Sequence, residues 1–273
     1  MEDCFDAERK IAAASSYPTL KEMPMSAERW FEHCDEILAR IRATQTEAIR
    51  RGAQLIADAA QRGGGLHFFD TGHCSREAIH RAGGLCMLNH LRFSLEVDTW
   101  AAPKRAQAVF QRARERQAAS DEELAALAVA RSALESGDVL IISSVSGRAA
   151  IVVEVARTAK EMGLQVIAIT NVAYSRAVES MHSSGKRLFE VADVAIDNCG
   201  VVGDAVLNME GIDTGVAPTS GVAFCYLIWA LTAEAAAQML ARGLHPHVYR
   251  SVNLPGGEEF NARAEAAYRD TGV

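Results

Sequence analysis

The 273-residue chain has no Cys-x-x-Cys pair, no Gly-x-Gly-x-x-Gly run and no P-loop lysine, and aromatic residues make up only 6% of it. Each absence removes a class of protein. Without paired spacings, the six cysteines (Cys4, Cys34, Cys74, Cys86, Cys199 and Cys225) read as free thiols of a reducing compartment rather than a disulfide or zinc framework. Without the glycine fingerprint or the lysine, the usual cradles for nucleotide phosphates are missing. Positive charge is also short. The formal net charge is -7, so nucleic acid is not expected as a bulk electrostatic partner. No uninterrupted apolar run approaches the 18 residues of a membrane span, and the most apolar stretch, 222–231, is expected to be a buried helix. The opening MEDCFDAERK is acidic and polar, not a targeting sequence, and a cytoplasmic location is expected.

What is present is an ordinary globular composition, 49% apolar and 23% charged. The length suits one large α/β domain with a helical extension. Residues 1–25, with Pro18 and Pro24, are expected to form a loose arm, and residues 26–273 a single domain. Ser26 is a good N-cap for a long amphipathic helix over 27–61, with a break placed near Gly52. A short strand is predicted at 66–69, a helix near 75–81, a second strand at 85–88 and a helix over 121–136. Further along, a helix is predicted at 184–191, a strand at 193–197, loops over 198–217, an apolar helix from Pro218-Thr219-Ser220 to about Arg242 and a last helix over 258–270.

The most informative stretch is 138–171. It reads strand (DVLIIS), loop (Ser144-Val145-Ser146-Gly147), helix (RAAIVVEVARTAKEMG) and strand (LQVIAITN). A buried strand that runs into hydroxyls and one glycine, then into a helix start, is suited to holding a phosphate. The first N–H groups of a helix lack partners within it, and its dipole favours an anion there. Strands alternating with helices imply a parallel sheet covered on both faces, with ligands outside the carboxyl ends of the strands. The loops at 70–75, 143–148 and 170–176 are therefore expected to share one edge.

These residues resemble the sugar isomerase (SIS) family, in particular its phosphoheptose-isomerase-like group. The likeness rests on Thr71-Gly72-His73, Arg81-Ala82-Gly83-Gly84-Leu85, Ser144-Val145-Ser146-Gly147-Arg148, His182-Ser183-Ser184-Gly185-Lys186, Ala192 to Asn198, Gly203-Asp204-Ala205, Pro218-Thr219-Ser220 and Ser251-Val252-Asn253. The resemblance implies a three-layer α/β sandwich with a five-stranded parallel sheet, a phosphorylated sugar as ligand, and a homodimer or higher homo-oligomer with sites near the subunit interface. It does not settle the reaction, because the fold carries isomerases, an etherase, an amidotransferase and non-catalytic sensors. Two departures stand out. Asp70 occupies a position where the family more often has glycine, and the segment from His73 to Arg81 is about three residues shorter than the family pattern.

Ser144, Ser146, Gly147 and Arg148 are the leading substrate-binding candidates. Gly72, Ser75, Thr170, Asn171, Thr219 and Ser220 join them from the neighbouring loops. Glu77 is the candidate general base for moving a proton between adjacent carbons through an enediol, with His73 and His182 as further catalytic candidates. His67, Asp70, His73, Cys74 and His80 lack standard zinc spacing, so no metal is expected, and no organic cofactor is required. The expected function is an aldose–ketose sugar-phosphate isomerase. A sugar-phosphate sensor without turnover and a sugar-phosphate ether lyase stay open beside it.

Overall fold

The computed structural model describes residues 26–71, 75–95 and 120–273. The expected arm lies outside these residues, as do Gly72, His73 and Cys74. In chain order, helices α1 (Ser26–Thr44) and α2 (Thr46–Gln61) lead into strand β1 (Leu66–Asp70), helix α3 (Ser75–Ala78) and strand β2 (Leu88–His90). Helix α4 covers residues 120–130. Then come β3 (Val139–Ser143), α5 (Ala150–Glu161), β4 (Gln165–Thr170), α6 (Val172–Ala177), α7 (Leu188–Val191) and β5 (Val194–Asp197). A short antiparallel pair, β6 (Ala205–Leu207) and β7 (Val216–Pro218), precedes the long α8 (Ser220–Ala241) and the last helix α9 (Gly257–Thr271).

The five-stranded sheet has the order β2-β1-β3-β4-β5, and every neighbouring pair is parallel. Its central strands are apolar on both sides because both faces are covered. Successive side chains alternate between faces. Val139, Ile141, Ile167 and Ile169 enter one core, whereas Leu140, Ile142, Val166 and Ala168 enter the other. The first core is closed by α1, α2 and α8, and the second by α4, α5 and α7. This is the three-layer sandwich that the resemblance implied.

Several boundaries moved for local reasons. The helix predicted over 27–61 breaks at Gln45 rather than Gly52. Gln45 turns its side chain outward from the helix line, so that Oε1 accepts the Asp197 N–H (2.9 Å) at the end of β5. Gly52 stays inside α2, where a β-carbon would lie 3.1 Å from Leu231 Cδ1, so the glycine serves close packing against α8. The helix predicted over 121–136 ends at residue 130: the Ser132 hydroxyl donates to the Val129 carbonyl (2.7 Å) and accepts the Leu134 N–H (3.3 Å). The second strand begins at Leu88, while Leu85 makes a separate antiparallel bridge to Val248. The helix predicted over 184–191 shortens to α7, and the loops over 198–217 contain the β6–β7 pair.

Helix α8 runs from Ser220 to Ala241, the span expected for the apolar helix. Its length and mean hydropathy of 1.4 are enough to cross a bilayer. Its packing is that of a core helix. Leu227, Leu231, Ala235 and Met239 are sealed, and Phe224 stacks on Phe68 of β1 at 5.6 Å between ring centres. The apolar stripes of α1, α2 and α8 share one core with the sheet.

At the amino ends of the strands, His67 pairs through Nε2 with Asp138 Oδ2 at 3.0 Å. Burial pushes the His67 pKa below its usual 6.5 and outweighs the upward pull of Asp138. The unfolded chain therefore takes up this proton at higher pH than the folded chain does. Stability from His67 is complete above about pH 6.5 and is lost as the pH falls toward the folded-state value. His67→Asn should flatten the drop in urea midpoint between pH 7.5 and pH 5.5. An unchanged pH slope would show that other groups set it.

Candidate functional site

The carboxyl edge of the sheet gathers the loops after β1, β3, β4 and β5. Asp70 at the end of β1 is in register with Ser143 at the end of β3, so the segments that follow start on adjacent strands. The turn from Ser144 to Ala149 is held from behind by its carbonyls. Val145 O accepts the Asn171 N–H (2.9 Å) and the Thr170 hydroxyl (3.1 Å). Ser146 O accepts the Ser175 hydroxyl (2.6 Å), Gly147 O the Leu188 N–H (2.8 Å) and Arg148 O the Met181 N–H (2.9 Å). Four successive carbonyls thus point into the scaffold.

The N–H groups have the opposite fate. Those of Val145 to Ala149 donate to no group among the described residues. Helix α5 adds to the donor set, because Ala149 sits at its N-cap and supplies no side-chain cap. Gly147 makes the turn possible with φ at +58° in the left-handed region. Successive free N–H groups on a turn of this kind, beside a positive helix end, form a concave anion site.

Side chains complete it. The Ser144 and Ser146 hydroxyls have no hydrogen-bond partner among the described residues, and neither is sealed from solvent. They do not cap α5, which begins beyond them. Arg148 is half-buried, forms no ion pair among the described residues, and has its Nε buried without a partner. A partly desolvated guanidinium without a carboxylate is costly unless a ligand anion meets it.

The other candidates divide into groups. Thr170 and Asn171 are buried and committed to the scaffold. The Thr170 hydroxyl holds the turn from behind, and Asn171 Oδ1 accepts the Tyr174 N–H (2.9 Å) to cap α6. The Ser220 hydroxyl donates to Asp204 Oδ2 (2.5 Å), whose Oδ1 also accepts the Ser220 N–H (2.9 Å). The positive end of α8 therefore already holds a carboxylate. Thr219 is 1% exposed, and its Oγ1 lacks a partner. Such an orphaned hydroxyl costs about 1–3 kcal/mol if nothing meets it.

Glu77 lies in α3, and its Oε1 accepts from Arg81 Nη2 at 3.2 Å. It opens into a cavity of about 490 Å³ shared with Arg81, Trp229, Arg250 and Asn253. Ser144, Ser146, Arg148 and Thr219 do not line that cavity. His73 and Gly72 fall outside the described residues, and Ser75 opens α3. His182 is 6% exposed, and both ring nitrogens are engaged: Nε2 with Glu154 (2.7 Å) and Nδ1 with the Ser184 N–H (3.0 Å). That arrangement leaves no ring nitrogen to exchange protons with a ligand. Among the described residues, no three His, Cys, Asp or Glu side chains cluster as a metal would require.

Sequence reading missed Ser175, Asp204, Glu122 and Glu154. Ser175 and Asp204 hold the turn and the start of α8 through contacts 29 and 16 residues apart in sequence, which no local pattern marks. Gly203-Asp204-Ala205 stood in the quoted resemblance without a role.

The family comparison agrees with this architecture. A SIS-domain family model matches residues 29–171, just over half of the chain. The UPF0309 protein of Streptomyces griseus is 34% identical over 247 residues, covering 89% of this chain and 95% of that protein. The UPF0309 protein of Streptomyces coelicolor is 36% identical over 236 residues, covering 85% and 91%. The phosphoheptose isomerase of Neisseria gonorrhoeae has a solved structure with a TM-score of 0.48 at 15% identity, covering 78% of this chain and 96% of that one. On its sheet, its turn and its relatives, the chain belongs to the SIS-domain family, among the UPF0309 proteins.

Proposed function

We propose that this protein binds a phosphorylated sugar, with the phosphate on the turn from Ser144 to Ala149, and isomerises it between aldose and ketose forms. One observation carries the binding: the turn fixes its carbonyls 145–148 to the scaffold and leaves the N–H groups of 145–149 free. Ser144 and Ser146 add hydroxyl donors, and Arg148 adds the charge. Thr219 contributes the orphaned hydroxyl at the start of α8. The phosphorylated sugar implied by membership of the SIS-domain family fits this chemistry, because its phosphate needs hydrogen-bond donors.

Glu77 is the base in this reading. It follows β1, whose end is in register with the end of β3, so it belongs to the strand next to the phosphate turn. A second reading is binding without turnover, as in a sensor. It is favoured by one observation: Glu77 opens into a cavity that the phosphate-binding residues do not line.

A thermal-shift panel of phosphorylated sugars, each with its unphosphorylated sugar as control, tests the binding. Ligand at 100 times its Kd should add about 2.7 kcal/mol of stability. Arg148→Met should weaken the best phosphorylated ligand about 10- to 100-fold, the loss of one charged hydrogen-bonding group, and should leave the unphosphorylated control unchanged. Equal responses to both sugars of a pair would defeat the phosphate site.

A further inference from the structure

The segment from residue 178 to 188 forms a compact arm behind the phosphate turn. Its internal bonds include Ser180 Oγ to the Lys186 carbonyl (2.6 Å), Gly185 N–H to the His182 carbonyl (2.9 Å) and Lys186 N–H to Ser184 Oγ (3.3 Å). The arm meets the turn at two points. Met181 N–H binds the carbonyl of Arg148, and Leu188 N–H binds that of Gly147. These are two of the five bonds that turn the four carbonyls inward and free the N–H groups.

His182 ties the arm to the layer of helices. The Ser184 N–H donates to Nδ1, and Ser184 Oγ lies 2.8 Å from the same nitrogen. Nδ1 therefore carries the lone pair and the ring proton is on Nε2. That Nε2–H donates to Glu154 Oε2 of α5 at 2.7 Å. Glu154 is itself held by the Thr158 hydroxyl at 3.2 Å and by Arg157 at 3.4 Å. Beside it, Glu122 of α4 accepts the Ser183 N–H (2.7 Å) and the Ser183 hydroxyl (2.8 Å). The arm is thus clamped to two helices by two carboxylates, and the imidazole is the buried member of the clamp.

We propose that His182 is a positioning residue: by joining the arm to Glu154 it keeps the Met181 and Leu188 N–H groups on the turn and so holds the anion-binding geometry. The inference rests on the phosphate reading above and adds the device that maintains it. It takes His182 out of the chemistry, since neither nitrogen is free. Glu154 and Glu122 become part of the same device through their bonds to His182 and Ser183.

Two measurements separate this inference from the phosphate reading. The first is titration with inorganic phosphate, and the second is hydrogen exchange at the Met181 and Leu188 amides, which needs no ligand. His182→Ala should raise the phosphate Kd at least about tenfold, the value of one lost hydrogen bond near 1.4 kcal/mol. It should also speed exchange at both amides by a similar factor. His182→Gln can still place an N–H on Glu154 and should stay within about threefold of the wild-type Kd, a rescue that a proton-transferring imidazole would not permit. Where His182→Ala does not fold, Glu122→Ala loosens the arm from its solvent side and should produce the same paired change. Wild-type exchange at both amides in these variants overturns the positioning role, whatever phosphate does. Absence of phosphate binding by the wild-type protein overturns the phosphate reading, and faster amide exchange would still support the clamp.

Discussion

Replacing Glu77 by glutamine should slow exchange of the substrate C2 proton with deuterated water by about 10²–10⁴-fold, the usual contribution of a positioned general base. The sugar-phosphate affinity should change little. Isomerisation through an enediol requires one group to remove a proton from carbon and return it to the neighbouring carbon. Glutamine keeps the size of the side chain and its hydrogen bonding but cannot accept that proton. Arg81, 3.2 Å from Oε1 and just beyond the end of α3, fixes the carboxylate's orientation and would continue to contact the amide oxygen. The prediction therefore separates chemistry from binding. Undiminished exchange in Glu77→Gln would remove this residue from the mechanism and leave phosphate binding intact. No exchange in the wild-type protein, together with saturable binding, would establish the sensor reading instead.

Gly147→Val should be the most damaging single change in the phosphate turn. A residue with a β-carbon in the left-handed region costs about 1–2 kcal/mol, and a β-branched one more. The space is also occupied. A β-carbon at 147 would lie 3.1 Å from Leu188 Cβ, 3.2 Å from Thr170 Oγ1 and 3.3 Å from Ser175 Oγ. Leu188, Thr170 and Ser175 are buried, and each donates a hydrogen bond that holds the turn from behind. Relief of the clash must push the turn away from its scaffold and disorder the N–H donors. The expected result is a loss of about 2 kcal/mol or more in stability, with phosphate binding weakened more than tenfold. Urea unfolding and phosphate titration measure the two effects. A Gly147→Val protein with wild-type phosphate affinity would show that the donors do not depend on this backbone conformation.

Much of the fold was readable because the strands report their own environment. The runs VLIIS and QVIAIT are apolar at successive positions, which only a sheet covered on both faces accommodates. The glycine and the hydroxyls of the turn were equally visible, since they follow directly after β3, while the glycine's left-handed conformation was not. Helix ends were less visible. The end of α4 depends on the Ser132 hydroxyl competing for the Val129 carbonyl, and the break before α2 depends on Gln45 reaching Asp197 across 152 residues.

The division in the candidate site has the same cause. Ser144, Ser146, Gly147 and Arg148 are neighbours in the chain, so their residue types alone suggest the anion site proposed above. Whether a hydroxyl or imidazole faces that place is a matter of partners distant in sequence. Thr170 and Asn171 face the scaffold, Ser220 faces Asp204, and His182 faces Glu154. The sequence by itself determined the parallel sheet, its two apolar faces and the turn able to receive a phosphate, because those depend on short-range periodicity and backbone conformation. Only the tertiary structure decided which polar side chains remain free to meet a ligand, because a buried donor or acceptor is engaged only where folding brings a partner within reach.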